Sequence, residues 1–301
     1  YFFAPHDFKN DALVVTLDGQ GDGIFSTVSI PKGNRLVRLA ESPSRSSIAL
    51  LYSIFTQLLG FTVSADEGKT EALASFCAEP RDLALYHTLS EAFSVNDDLE
   101  ILLRPTKDFP FSDIAGNWRS VRKHVRQLTE GMEPIDIAGS IQALFEDIVV
   151  CLVTKAHDRH PYTKLAVAGG GFANVKLNMR LFQLGLFDDI YIFPAMGDDG
   201  AAVGAAVEAL LDERQDLDWL RQLEMPYWGP TSTQGSARRA LEARKDQLRF
   251  EYLGDSAAAS LAEDITNGFL CALYQGPMEF GPRALGHRSI LANPRDPSIR
   301  D

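Results

Sequence analysis

The chain has 301 residues, 45% of them hydrophobic, enough to bury a large core and to form more than one domain. Its 41 acids against 29 bases leave a formal net charge of −12, which argues against a broad surface for nucleic acid or anionic membrane but leaves room for a local basic pocket. No uninterrupted apolar run reaches membrane-spanning length and no signal-peptide pattern opens the chain, while Cys77, Cys151 and Cys271 are scattered without metal spacing; the composition reads as cytoplasmic and free of disulfides.

In chain order, "LVVTLDGQGDG" and "IFSTVSI" alternate as two strands about a glycine turn, and "RLVRLAE" reads as a third. "SSIALLYSIFTQLLG" has helical spacing and stops at Gly60. "DEGKTEALASF" is a helix start or a loop entering one. Residues 80–133 are polar and mixed, with helices expected near 81–93 and 117–130. "IAGSIQALFEDIVVCLVTKAHDRH" predicts a long apolar helix leading to the strand Leu165–Ala168. Gly169, Gly170 and Gly171 then open a helix carrying Val175, Leu177, Met179, Leu181 and Phe182, with Gly185 as its stop. "DDIYIFPAMGDDGAAVGAAVEALLDE" repeats the pattern of strand, glycine turn and helix. A Pro/Gly/Ser/Thr-rich stretch, 225–235, reads as a linker. A charged helix (237–247), a strand "RFEYLG", a helix "SAAASLAEDITNG" and a strand "LCALYQG" follow. Two α/β units are therefore expected, residues 1–226 and 236–301, with 227–235 between them.

Five stretches carry chemistry. A strand–glycine–helix junction leaves amides unpaired at the helix start and lets a ligand approach the backbone, which suits an anion at "GGGFAN"; a tight turn with positive φ is the other reading. "FPAMGDDG" places Asp198 and Asp199 at a strand end, where carboxylates meet ligands or simply cap a helix. Two such junctions about thirty residues apart point to a nucleotide between them. In "TLDGQGDG", Asp18 and Asp22 flank Gly19 and Gly21, and the same residues suit an ordinary hairpin turn. In "DEGK", Lys69 suits phosphate and Glu67 a ribose hydroxyl, unless the two belong to an exposed salt-bridging loop. In "MEFGPRALGHRSILANPRDP", Arg283, Arg288 and Arg295 with His287 sit among Gly281, Pro282, Gly286, Pro294 and Pro297. Arginines in such a stiff loop of an acidic protein point to a pocket for phosphate or carboxylate.

"EFGPRALGHRSILANPR", "GGGFANVKLNMRL", "GDDGAAVGAA", "DEGK" and "LDGQGDG", in these positions, resemble the O-carbamoyltransferase family of nodulation proteins and antibiotic-tailoring enzymes. The resemblance spans nearly the whole chain. It implies a two-lobed Kae-like domain of the actin-like ATPase (ASKHA) superfold, here without its N-terminal part, followed by the start of a YrdC-like α/β domain. It implies an enzyme that makes carbamoyl-adenylate from carbamoyl phosphate and ATP, with magnesium accompanying the ATP, and passes the carbamoyl group to a hydroxyl. A sugar hydroxyl of a nodulation factor is the acceptor it favours; a homo-oligomer is left open. By this resemblance Gly19, Gly21, Glu67, Lys69, Gly169, Gly170, Gly171 and Asn174 contact nucleotide, and Arg283, His287 and Arg288 contact carbamoyl phosphate. Asp198 matches a carboxylate that ligates iron(II) or another divalent metal with two histidines of an H-x-x-x-H motif. Asp18 and Asp22 are the catalytic candidates for general base, and the sequence does not choose between them.

The chain departs from the family at three points. The H-x-x-x-H motif would lie upstream of Tyr1, and His6 does not replace it. Glu71-Ala72 stands where Met-Gly is usual, and His287 where Asn is usual. Both ends read as internal to a longer protein, so that the 301 residues alone are expected to be inactive and to hold little metal. The alternatives are a sugar kinase or ATPase of the same superfold, which leaves the arginine loop unexplained, and a nucleotide-binding module without catalysis.

Overall fold

The computed structural model describes residues 1–213, 216–223, 226–296 and 299. The chain divides into two compact units, Tyr1–Leu223 and Glu224–Asp301.

The first unit is a mixed α/β layer structure. Strand β1 (Ala12–Gly21) turns into β2 (Ile24–Lys32) and β2 into β3 (Arg35–Pro43), an antiparallel meander. Asp22 and Gly23 form the first turn with φ of 52° and 81°, the two positive values that let a two-residue link follow the sheet twist. Helices α1 (Ile48–Leu58), α2 (Glu67–Ala74) and α3 (Ala84–Ser90) follow, then a short hairpin of β4 (Phe93–Val95) and β5 (Ile101–Leu103), then α4 (Trp118–Leu128) and α5 (Pro134–Arg159). The chain re-enters the sheet as β6 (Lys164–Ala168), crosses through α6 (Val175–Gln183) to β7 (Asp189–Ile192), and ends the unit beyond α7 (Ala201–Asp212). Strand order is β3-β2-β1-β6-β7, with β1, β6 and β7 parallel.

Alternation along β1 and β6 sends Leu13, Val15, Leu17, Leu165 and Val167 to one face, all nearly inaccessible to solvent. There they join Leu51, Ile54 and Phe55 of α1 and Ile141, Leu144 and Phe145 of α5 in one core. The smaller Ala12, Val14 and Ala166 point the other way, onto Ala4 and Phe8. Helix α5 is 26 residues long and apolar enough to cross a bilayer by length and composition, although charged residues interrupt it. Of its apolar window 78% is buried inside the protein, which makes it the spine of this core.

The second unit contains α8 (Gln234–Glu242), α9 (Ala257–Thr266) and an antiparallel pair, β8 (Cys271–Tyr274) and β9 (Arg288–Leu291). Thr233 caps α8 by accepting from the Ser236 amide, so that helix starts and stops earlier than the sequence suggests. Residues 226–230, expected in a linker, bond within this unit: the Gly229 amide donates to Met278 O (2.9 Å) and the Phe280 amide to Pro226 O (2.7 Å). Met225 and Pro297 lie outside the described residues.

One expectation needs correction, and one element is absent from the sequence reading. "RFEYLG" is not a strand: residues 249–253 are irregular, Tyr252 is 80% exposed, and among the described residues no strand pairs with them. Its apolar alternation is real, but a strand needs a neighbouring ladder to satisfy its amides. The β4–β5 hairpin, in turn, was not foreseen, since three-residue strands carry too little periodicity to read.

Candidate functional site

The three parallel strands end on one edge of the sheet, where ligands of open α/β sheets bind. Register sets this edge: Thr16 lies opposite Ala168, and Val167 opposite Ile192. Beyond it run Leu17-Asp18-Gly19 from β1, Gly169-Gly170-Gly171 from β6 and the segment Phe193–Gly200 from β7. Gly169 has φ 102° and donates its amide to Met196 O at 2.6 Å, tying the second loop to the third. A β-carbon on Gly169 would stand 2.2 Å from Leu17 O, and one on Gly171 2.7 Å from the Leu17 side chain. Those two glycines are required by the protein's own packing. Gly170 differs: its missing β-carbon faces only Asp18 Oδ1 (3.3 Å), and Gly197 lies across from it, 3.8 Å from a β-carbon position to the Gly170 Cα. Asp18, Gly170 and Gly197 thus lie together around the open space left by the missing side chains of the two glycines.

Asp18 is half-buried and its Oδ1 accepts from the Gly19 amide at 2.7 Å. Gly19 O in turn accepts from the Ser47 hydroxyl, the N-cap of α1, at 2.7 Å. Asp22 sits four residues further along, about 13 Å at strand rise, exposed in the hairpin turn. The structure therefore brings Asp18, and not Asp22, to the glycine junction.

The start of α6 is occupied by the protein's own groups. Asn174 caps it, its Oδ1 accepting from the Leu177 amide at 2.9 Å, while Glu71 Oε1 of α2 accepts from the Lys176 amide at 2.7 Å. Asn174 also forms a reciprocal amide pair with Gln142 of α5, at 2.9 and 3.0 Å. Gln142 accepts from the Tyr52 hydroxyl (2.8 Å) and donates to Glu146 (2.8 Å). Burial raises the Tyr52 hydroxyl pKa well above its usual range, and the nearby Glu71, Glu146 and Glu67 carboxylates push it further. Hence the Lys176 and Leu177 amides at the start of α6 are taken by the protein's own side chains, and the Asn174 side chain serves the fold before it serves any ligand.

Glu67 Oε1 accepts from the Ser53 hydroxyl (2.9 Å) and the Ser64 amide (2.8 Å), and Lys69 pairs with Asp66 at 2.9 Å while remaining mostly exposed. Gly21 is exposed beside the hairpin turn. Asp198 and Asp199 are both exposed in a short 3₁₀ turn before α7. Among the described residues no group of three or more His, Cys, Asp or Glu could hold a metal ion. Asp198 by itself does not make up the iron site that the resemblance implies, whose two histidines that resemblance puts upstream of Tyr1.

The arginine loop belongs to the second unit, where Glu279 organises it. Buried Glu279 accepts through Oε1 from the amides of Leu285 (3.0 Å), His287 (2.7 Å) and Arg288 (3.0 Å). Burial alone would raise its pKa; the amides outweigh it and hold the carboxyl at about 2. Arg288 spends its guanidinium on the carbonyls of Gln275 (2.6 Å) and Gly276 (3.2 Å) and lies over the Tyr274 ring at 3.5 Å. His287 donates from Nδ1 to Pro277 O (2.6 Å) and stacks on Tyr227 at 3.9 Å. Arg283 is half-buried. His287 and Arg288 are thus anchored to carbonyls of their own unit.

Residues 1–207 match the family described as carbamoyltransferase N-terminus, and residues 262–301 that described as carbamoyltransferase C-terminus. The protein belongs to the carbamoyltransferase family. It is 39% identical to the uncharacterized protein MJ1058 of Methanocaldococcus jannaschii over all of this chain and 50% of that one. It is 31% identical to nodulation protein NolNO of Sinorhizobium fredii (96% of this chain, 41% of that one) and 29% identical to nodulation protein NolO of Bradyrhizobium diazoefficiens (99% and 53%). The chain spans about half the length of these relatives. The crystal structure of T. kodakarensis HypF aligns at a TM-score of 0.31 with 14% identity over 70% of this chain and 35% of that one, a likeness too slight to define the fold.

Proposed function

We propose that the whole protein is an ATP-dependent O-carbamoyltransferase in which the sheet edge described above binds the nucleotide. The observation that carries this reading is the meeting of Asp18, Gly170 and Gly197 where three parallel strands end. The five-stranded mixed sheet, a meander continued by two parallel strands, supports an actin-like lobe for the first unit. The reaction would run through carbamoyl-adenylate: water releases inorganic phosphate from carbamoyl phosphate, and the carbamate so formed attacks the α-phosphorus of ATP with loss of pyrophosphate. The carbamoyl group then passes to a hydroxyl, taken as that of a sugar, as AMP leaves. Gly170, without a side chain at the opening, lets the nucleotide approach the backbone closely. Asp18 keeps Oδ2 outside its bond to Gly19 and is the favoured general base; as a hard carboxylate it equally suits the magnesium that accompanies ATP.

The full-length protein should release pyrophosphate only when ATP and carbamoyl phosphate are both present. Release of ADP on addition of a sugar, independent of carbamoyl phosphate, would instead identify a kinase. Asp18→Asn should lower carbamoyl transfer by about a hundredfold or more, the scale of a lost general base, and Asp22→Asn should leave it within a few-fold. Equal loss in both variants would remove Asp18 from that role.

A further inference from the structure

Helix α4 carries a one-sided charge pattern that the proposed chemistry does not use. Its sequence, "WRSVRKHVRQL", buries Val121 and Val125 in the core and half-buries Trp118 and Leu128. On the other side Arg119, Arg122, Lys123 and Arg126 recur at helical spacing, one stripe over about 10 Å of helix. Arg122 is half-buried and donates to Gln57 at 3.0 Å; the other three are exposed, and among the described residues none of the three forms an ion pair. His124, beside the stripe, bonds the Asp108 carbonyl at 2.8 Å. Exposed Arg104 and Lys107 lie on the segment leading to Phe109 and Phe111, whose rings pack on His124. Helix α4 contains no acid.

Like charges one turn apart repel, so this arrangement weakens the isolated helix. In a chain with 41 acids and 29 bases, composition does not force four cations onto one face without an acid among them. We infer that the exposed face of α4 docks an acidic polypeptide segment of a partner protein. Charge complementarity selects the partner, and size selects among anionic partners. A nucleic acid or a bilayer extends far beyond the stripe and meets the net charge of −12, whereas a short acidic segment meets only the stripe. The apolar face of α4 is already in the core, so the helix has nothing to insert into lipid. An extended segment with acids at alternate positions spaces them about 7 Å apart, so two such acids fall within the roughly 10 Å of the stripe.

The test uses the full-length protein and a short fluorescent peptide of alternating Glu and Ser. The wild type should bind it at low salt and progressively less as salt rises. The variant Arg119→Gln/Lys123→Gln/Arg126→Gln should bind about tenfold more weakly, the sum of three exposed ion pairs, with circular dichroism unchanged and the melting temperature no lower. Arg38→Gln, which removes a cation paired with Glu41 elsewhere on the unit, should leave binding as it is. Absence of binding at low salt, equal binding by the triple variant, or tighter binding of oligo-dT or phosphatidylserine vesicles than of the peptide would each overturn the inference.

Discussion

Gly169 and Asn174 sit five positions apart on one loop and would fail for different reasons. Gly169 holds φ 102°, and a β-carbon there would stand 2.2 Å from Leu17 O, a backbone atom that cannot swing aside. Gly169→Ala must move a strand end, and the strained φ alone costs on the order of 1–3 kcal/mol. An unfolding free energy in urea lowered by that amount, together with lost nucleotide binding, is the expected outcome. Asn174 invites a gentler expectation from sequence, a ligand contact worth about 1 kcal/mol and no effect on folding. Its cap on Leu177 and its pairing with Gln142 change that. Losing the cap costs about 1 kcal/mol, and the two lost bonds to Gln142, which keeps Tyr52 and Glu146 as partners, cost about 1 kcal/mol more. Asn174→Ala should therefore lower stability by about 2 kcal/mol in urea unfolding, and its nucleotide affinity has to be measured where the variant remains folded.

At the scale of elements, the arginine loop is held by one carboxylate, and that makes it sensitive to acid. The folded Glu279 carboxyl, at about 2, lies below its ordinary 4.5, so its contribution is complete above pH 4.5 and disappears as pH falls toward 2. The amide resonances of Leu285, His287 and Arg288 should shift together over that window in NMR spectra. In Glu279→Gln the shift should be absent and the loop looser at all pH values. Glu279 stands inside a motif that the sequence makes conspicuous, yet the arginines draw the eye because charge suggests ligands. What the carboxylate binds is backbone, and backbone partners leave no trace in residue type. Elements with their own punctuation were legible: the β1–β2 hairpin through Asp22-Gly23, α1 through Gly60, α6 through the triple glycine and Gly185. The β4–β5 hairpin was too short to show a period. The start of α6 was legible as an anion site but its occupant was not, because Glu71 reaches it from a helix about a hundred residues earlier.

The whole molecule divides after Leu223, a few residues before the Pro/Gly/Ser/Thr-rich stretch, and Gly229 and Pro230 already bond to Met278. Limited proteolysis should cut first near this division and leave a fragment of the first unit; faster cleavage within 80–133 would contradict it. The sheet of that unit has a temporal side as well. The meander β1–β2–β3 joins neighbours in the chain, whereas Val15 meets Val167 across about 150 residues. Closing so long a loop carries an entropic toll before any bond rewards it, and non-local strand pairing is slow. The close approach of Leu17 to Gly169 therefore belongs to the late stage of folding, after α5 has collapsed onto the meander. On a ribosome, the edge proposed to bind nucleotide cannot exist until β6 has emerged, however long β1 has waited. Gly169→Ala should consequently leave the refolding rate nearly unchanged and speed unfolding, visible as a shift of only one arm of the chevron.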